Sequence, residues 1–162
     1  MQLRTVTIAV SICGLLIVCI LTTVIGIVLT DSLRRSVKYR MLADKHLRII
    51  DVYDKWLKHM NDGGNLLDFF NTNGYRRIGI YGLGYLGRRL VSEVQNSEVE
   101  ICFVIDKNMK TDYMGIPILS LDDNISDVDA IIVTPIDELY LIKKRLNSLT
   151  YVPIVSIEEI FI

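Results

Sequence analysis

The chain has 162 residues, 51% of them hydrophobic, with a formal net charge of −1 and a mean hydropathy of +0.36. At about one domain's worth of length, this excludes a complete two-domain dehydrogenase, and a single long apolar run excludes a polytopic transporter. With near-neutral charge and no basic face beyond that run, no nucleic-acid partner is expected.

Thr5 to Thr30 is an uncharged run of 26 residues. As a helix rising about 1.5 Å per residue it covers roughly 39 Å, more than the ~30 Å hydrocarbon core of a bilayer. A cleaved signal peptide has a shorter apolar region, of about 7–15 residues, before a small-residue cleavage site. Residues 1–30 therefore read as an uncleaved transmembrane anchor. Only Arg4 precedes the run, whereas Arg34, Arg35, Lys38, Arg40, Lys45 and Arg48 follow it. Lys/Arg excess marks the cytoplasmic side. The expectation is a single-pass protein of the cell membrane, N-terminus outside and C-terminal domain cytoplasmic, its basic cluster against anionic headgroups. From Ile49 onward 11 basic and 17 acidic residues give a net −6. Cys13 and Cys19 in the span and Cys102 in a strand-like run form neither a disulfide framework nor a zinc site, and read as packing residues. Ser11, Thr22 and Thr23 can bond backbone carbonyls within the helix, and Gly14 and Gly26 are too far apart for a small-residue dimer face.

Residues 31–64 read as an amphipathic linker helix. Tyr39, Leu42, His46, Ile49, Tyr53, Trp56 and Met60 recur in steps of three and four, with Ile50 and Leu57 widening the stripe. A stripe this wide is expected to pack on a neighbouring domain, with His46 partly buried in it. A homodimer through this helix stays open. Asp62-Gly63-Gly64-Asn65 stops the helix, and Gly64 or Asn65 caps a short helix through Leu66, Leu67, Phe69 and Phe70.

Residues 65–162 alternate strand and helix. Arg76 to Tyr81 is an apolar strand, followed directly by Gly82-Leu83-Gly84-Tyr85-Leu86-Gly87 and a helical stretch from Arg88 to Val94. This is G-x-G-x-x-G between strand and helix, the context that gives the pattern meaning. Gly82 permits the tight turn, Gly84 lets a phosphate approach the backbone, and Gly87 lets helix and strand pack closely. The N–H groups and dipole of the helix start favour an anion. Glu100 to Ile105 is a second strand ending at Asp106, 19 residues after Gly87, near the spacing of a ribose-binding carboxylate. Gly115 to Leu119 is a short edge strand carrying Pro117, and Asp129 to Thr134 a buried one. Pro135 to Ser148 is a helix with Thr134 as N-cap and Pro135 at its first position. Val152 to Ser156 is the last strand, before a tail from Ile157 to Ile162. With right-handed crossovers the fold class is α/β, a small doubly wound parallel sheet of five strands in the order 3-2-1-4-5. That order brings Gly82, Leu83, Gly84, Tyr85, Leu86, Gly87, Asp106, Lys107, Thr134 and Pro135 around one crevice as the cofactor-binding set.

The runs I-G-I-Y-G-L-G-Y-L-G, F-V-I-D-K, G-I-P-I-L-S-L-D-D and V-D-A-I-I-V-T resemble one branch of Rossmann domains. That branch includes CoA-binding-type domains, the NAD-binding domain of redox-sensing Rex repressors, and the nucleotide-sugar-binding domains of bacterial sugar acetyltransferases and membrane-bound sugar dehydratases. Leu66 to Ile162 also resembles small domains accompanying cell-surface polysaccharide biosynthesis in Gram-positive bacteria. The resemblance implies a nucleotide-type ligand held through Gly82, Gly84, Gly87 and Asp106, and a membrane polysaccharide-assembly enzyme as partner. It does not choose among NAD(P), a UDP-sugar and a CoA-type nucleotide. The repressors' DNA-binding domain, the acetyltransferases' hexapeptide repeats and the dehydratases' catalytic domain have no counterpart in this sequence. Nucleotide-gated regulators of potassium channels share the glycine turn, but one span with no filter sequence forms no pore.

Tyr140 and Lys144 match the Y-x-x-x-K pair of short-chain dehydrogenases, without the longer C-terminal portion that builds their substrate pocket. His59 has no second ligand at metal spacing. Asp122, Asp123, Asp127, Asp129, Glu158 and Glu159 read as solvated or capping carboxylates. Arg88 and Arg89 could reach a phosphate or lie on an exposed helix face. No nucleophile–base pair emerges, so the expectation is a binding module without catalytic activity of its own. The alternatives are an interaction scaffold with an empty nucleotide pocket and a non-catalytic part of a nucleotide-sugar epimerase or dehydratase system.

Overall fold

The computed structural model describes residues 2–109, 111–123 and 125–161, with side chains from Gly14 onward. The side chains of Ser11 and Cys13, and Ile162 at the end of the expected tail, lie outside the described set. The chain divides into two compact units, residues 1–44 and 45–162.

Helix α1 runs from Gln2 to Asn61 without interruption, so no break separates the apolar run from the charged segment after it. No Pro lies between Gln2 and Asn61, and Gly14 and Gly26 are the only glycines there. In residues 1–44 the described apolar side chains, from Leu15 to Leu29, stand exposed. Among the described residues this is one helix long and apolar enough to cross a membrane. Its hydroxyls turn inward: Thr22, Thr23 and Thr30 each donate to a carbonyl three or four residues back, at 2.8–3.0 Å.

The unit of residues 45–162 is α/β. After α1 come α2 (Leu66–Asn73), β1 (Arg77–Tyr81), α3 (Tyr85–Val94), β2 (Glu100–Ile105), β3 (Ile118–Leu119), β4 (Ala130–Val133), α4 (Leu139–Leu146), β5 (Ile154–Ser156) and a 3-10 turn, Ile157–Phe161. The five strands form one all-parallel sheet in the order β3-β2-β1-β4-β5. Period-two alternation sends Ile78, Ile80, Val104, Ala130 and Ile132 to one face, against Leu86, Leu90, Val91 and Val94 of α3. It sends Tyr81, Phe103, Ile105, Ile131 and Val133 to the other, against Ile142 and Leu146 of α4. Covered on both sides, the central strands are continuous apolar runs, as a parallel sheet requires.

The last turns of α1 belong to this core. Val52 and Trp56 are buried with Phe70, Ile160 and Phe161, and Trp56 stacks on Phe161 with ring centroids 4.7 Å apart. The packed stripe is Ile49, Val52, Tyr53 and Trp56, narrower than expected: Ile50, Leu57 and Met60 remain exposed. His46 is exposed as well, not partly buried, because it lies off the line from Ile49 through Val52 to Trp56. Asn65 caps α2, accepting from Leu67 N–H at 3.0 Å while Asp68 accepts from Asn65 N–H.

Several element boundaries differ from the expected ones, three of them for a visible reason or with a bearing on the site. The edge strand shrinks to two residues because Met114 and Gly115 adopt positive φ in a tight turn closed by Tyr113 and Ile116. Helix α3 starts at Tyr85, within the glycine pattern. Helix α4 starts at Leu139, four residues late, because Thr134 does not cap it. The Thr134 hydroxyl instead donates to the carbonyls of Gly82, at 2.9 Å, and Tyr81, at 3.2 Å.

One carboxylate outside the cleft has a plain structural task. Asp129 Oδ2 accepts from the backbone N–H of Arg76 and Arg77, each at 2.7 Å, and so sets where β1 begins. These bonds, Arg77's above all, hold the Asp129 carboxyl below its ordinary range. A lowered folded value means the stabilisation is present above the unfolded pKa and is lost as pH falls through the folded one. The advantage of wild type over Asp129→Ala, about 1 kcal/mol, is therefore expected to be constant above about pH 5 and to shrink below about pH 4. Urea midpoints of both proteins from pH 3 to 7 test this, and a pH-independent gap would refute it.

Candidate functional site

The turn after β1 is built by four interlocking bonds. Gly82 has φ +97, and an added Cβ there would stand 2.8 Å from Pro135 Cδ. Its N–H donates to Ile105 O at 2.8 Å, and its carbonyl accepts from the Thr134 hydroxyl. Leu83 N–H donates to Asp106 Oδ2 at 2.6 Å, and Leu83 O accepts from Arg88 Nε at 3.0 Å. Gly87 lies over the turn so closely that a Cβ would collide with the Gly82 carbonyl oxygen. The chain's own packing therefore requires glycine at 82 and 87.

Gly84 is different. It is exposed, has an ordinary φ of −68, and nothing described lies within 4 Å of the position its Cβ would take. As N-cap of α3 it offers no side chain to the first N–H groups of the helix, which an α-helix leaves without partners of its own. The N-cap and the first residues of the helix, Gly84, Tyr85 and Leu86, border open space.

That space is part of a cleft of about 340 Å3 at the carboxyl ends of β1 and β4. Eight of the ten expected residues line it: Gly82, Gly84, Tyr85, Leu86, Asp106, Lys107, Thr134 and Pro135. Gly87 and Leu83 do not. Gly87 is taken up against Gly82, and the Leu83 side chain is buried in the core on the α3 face.

Asp106 is half-buried and engaged. Oδ2 accepts from Leu83 and Oδ1 from Asn108 N–H at 2.8 Å, so the carboxylate ties the glycine turn to the end of β2 while lone pairs remain. Lys107 Nζ lies 3.5 Å from Glu138 Oε2, and Lys45 Nζ 3.7 Å from Asp137 Oδ2. These pairs hold the loop between β4 and α4 from two sides of the mouth. Both are solvent-exposed and contribute little stability.

Lining residues that were missed as site residues include Lys45, Ile49, Tyr81, Asp137 and Glu138. The signal for Ile49 lies in the linker stripe, whose inward line passes through Ile49 and, one turn earlier, Lys45. Arg88 and Arg89 are not cations of the cleft: Arg88 holds Leu83 O, and Arg89 pairs with Glu93 at 2.9 Å. Tyr53 donates to Tyr85 O at 3.0 Å, and burial pushes its phenol up, which keeps the donor protonated. Tyr140 and Lys144 stand exposed on α4, outside the cleft. Among the described residues no cluster of His, Cys, Asp and Glu could hold a metal. Cys102 is half-buried beside the α4-face core, and burial pushes its thiol up. Compared with protein-family models, curated proteins and solved structures, the chain gives no match.

Proposed function

We propose that the chain is a single-pass membrane protein whose cytoplasmic part is a Rossmann-like, doubly wound domain binding a nucleotide, dinucleotide or nucleotide-sugar, without catalytic activity of its own. It would sense or present that ligand to membrane enzymes assembling surface polysaccharide, a role drawn from resemblance alone. One observation carries the binding reading. Of the three glycines of the turn, Gly84 alone has no described neighbour within 4 Å of where a Cβ would stand, and it caps a helix start that lines a cleft. A missing side chain there leaves room for a group from outside, and N–H groups at a helix start suit a phosphate. The basic cluster between Arg34 and Arg48 supports the cytoplasmic orientation.

The test is a thermal-shift screen of the full chain in detergent against NAD, NADP, CoA and UDP-sugars. A ligand at 100 times its Kd stabilises the folded state by about 2.7 kcal/mol, several degrees for a domain of this size. One ligand that raises Tm in this way identifies the class. No shift with any of them would overturn the reading in favour of a scaffold. A specific observation favours that second reading: the rim charges Lys45, Lys107, Asp137 and Glu138 satisfy one another without a ligand.

A further inference from the structure

Tyr81 ends β1, and nothing in the turn uses its side chain. It lines the cleft at β1 and β4 and also a second one, of about 540 Å3, at the ends of β2 and β3. The two clefts share Tyr81, Ile105, Asp106 and Lys107, and Arg145 of α4 borders the second together with Asp122 and Asp123. The ring packs with Phe103, Ile105 and Ile142 on the α4 face, leaving the residue 7% exposed. Phenylalanine would meet every packing demand of that position.

The hydroxyl is what the packing does not explain. It makes no hydrogen bond to any described residue. No side-chain oxygen or nitrogen among them is both fully enclosed and unpaired, so this hydroxyl must open into a cleft that the residue lines. A polar atom in so buried a side chain costs free energy unless something partners it. With no partner among the described residues and open to a cleft, this hydroxyl is left to bond water or an acceptor that a ligand brings.

We propose that Tyr81 is a specificity-determining residue whose hydroxyl donates to the middle of a ligand occupying both clefts. A hydroxyl can donate, and a diphosphate bridge offers acceptors only. The site then selects nucleoside diphosphate esters, whose two ends reach both clefts, over nucleoside monophosphates, which fill one. This rests on the nucleotide reading above and narrows it.

The test is calorimetric titration of the full chain in detergent, wild type and Tyr81→Phe, with UDP-glucose and NAD against UMP and AMP. At least one diphosphate ester is expected to bind wild type at least tenfold more tightly than either monophosphate. Tyr81→Phe should lose about tenfold for that ester, near the upper range for one hydrogen bond, with monophosphate affinity and ligand-free Tm unchanged. Equal binding of the ester by both proteins, or monophosphates bound as tightly as the esters, would overturn the role of Tyr81 and leave the nucleotide reading standing. No binding of any of the four by wild type would overturn both.

Discussion

Gly87→Ala should destabilise the domain by about 3 kcal/mol, the upper end of what overpacking costs, whereas Gly84→Ala should cost no more than about 1 kcal/mol. The difference lies in what each new methyl meets. At Gly87 it meets the carbonyl oxygen of Gly82, a backbone atom fixed by the Thr134 hydroxyl and unable to swing aside. At Gly84 it meets open space, and the backbone there is one that alanine adopts freely, apart from its poorer helix capping. Urea midpoints measure both. The larger Gly84→Val should in turn block a phosphate while the fold survives, so stability and ligand binding separate between neighbouring glycines of one motif. Equal destabilisation by the two alanines would mean that the turn is looser than its bonds imply.

The second large effect concerns the end of α1. Trp56→Ala removes a side chain that is 3% exposed and stacked on Phe161, and should cost about 3–5 kcal/mol. That is a large share of the 5–15 kcal/mol typical of a whole domain. A fragment beginning at Asp62 loses Trp56 together with Val52, Ile49 and Tyr53, and is expected to show no cooperative melt. A fragment beginning at Lys45 should keep one. Circular dichroism of the two fragments decides the matter, and a sharp melt of the shorter one would show the helix to be dispensable.

What could be read in advance follows how local the cause is. The sheet order was legible because apolar runs of five or six residues between glycine and helix signals leave few parallel topologies open, and the cleft comes with that order. Eight of the ten expected crevice residues were legible for the same reason. Helix boundaries were not, where a side chain had two possible employments. Thr134 before Pro135 has the form of an N-cap, but the carbonyl it bonds belongs to Gly82, 52 residues earlier. Asp106 has the spacing of a ribose ligand, and no local pattern announces that it also holds Leu83 N–H. The linker stripe was visible as periodicity, yet which of its edges faces inward depends on Phe70 and Phe161, both far along the chain.

The loop from Thr134 to Glu138 is held in two unlike ways. Its root is tied to β1 by uncharged hydrogen bonds to Tyr81 and Gly82, and its tip by two exposed ion pairs spanning 3.5 and 3.7 Å. Salt screens the second kind of attachment and leaves the first alone, since at 1 M the screening length falls to about 3 Å. Ionic strength is therefore expected to loosen the tip of this loop while leaving its root in place.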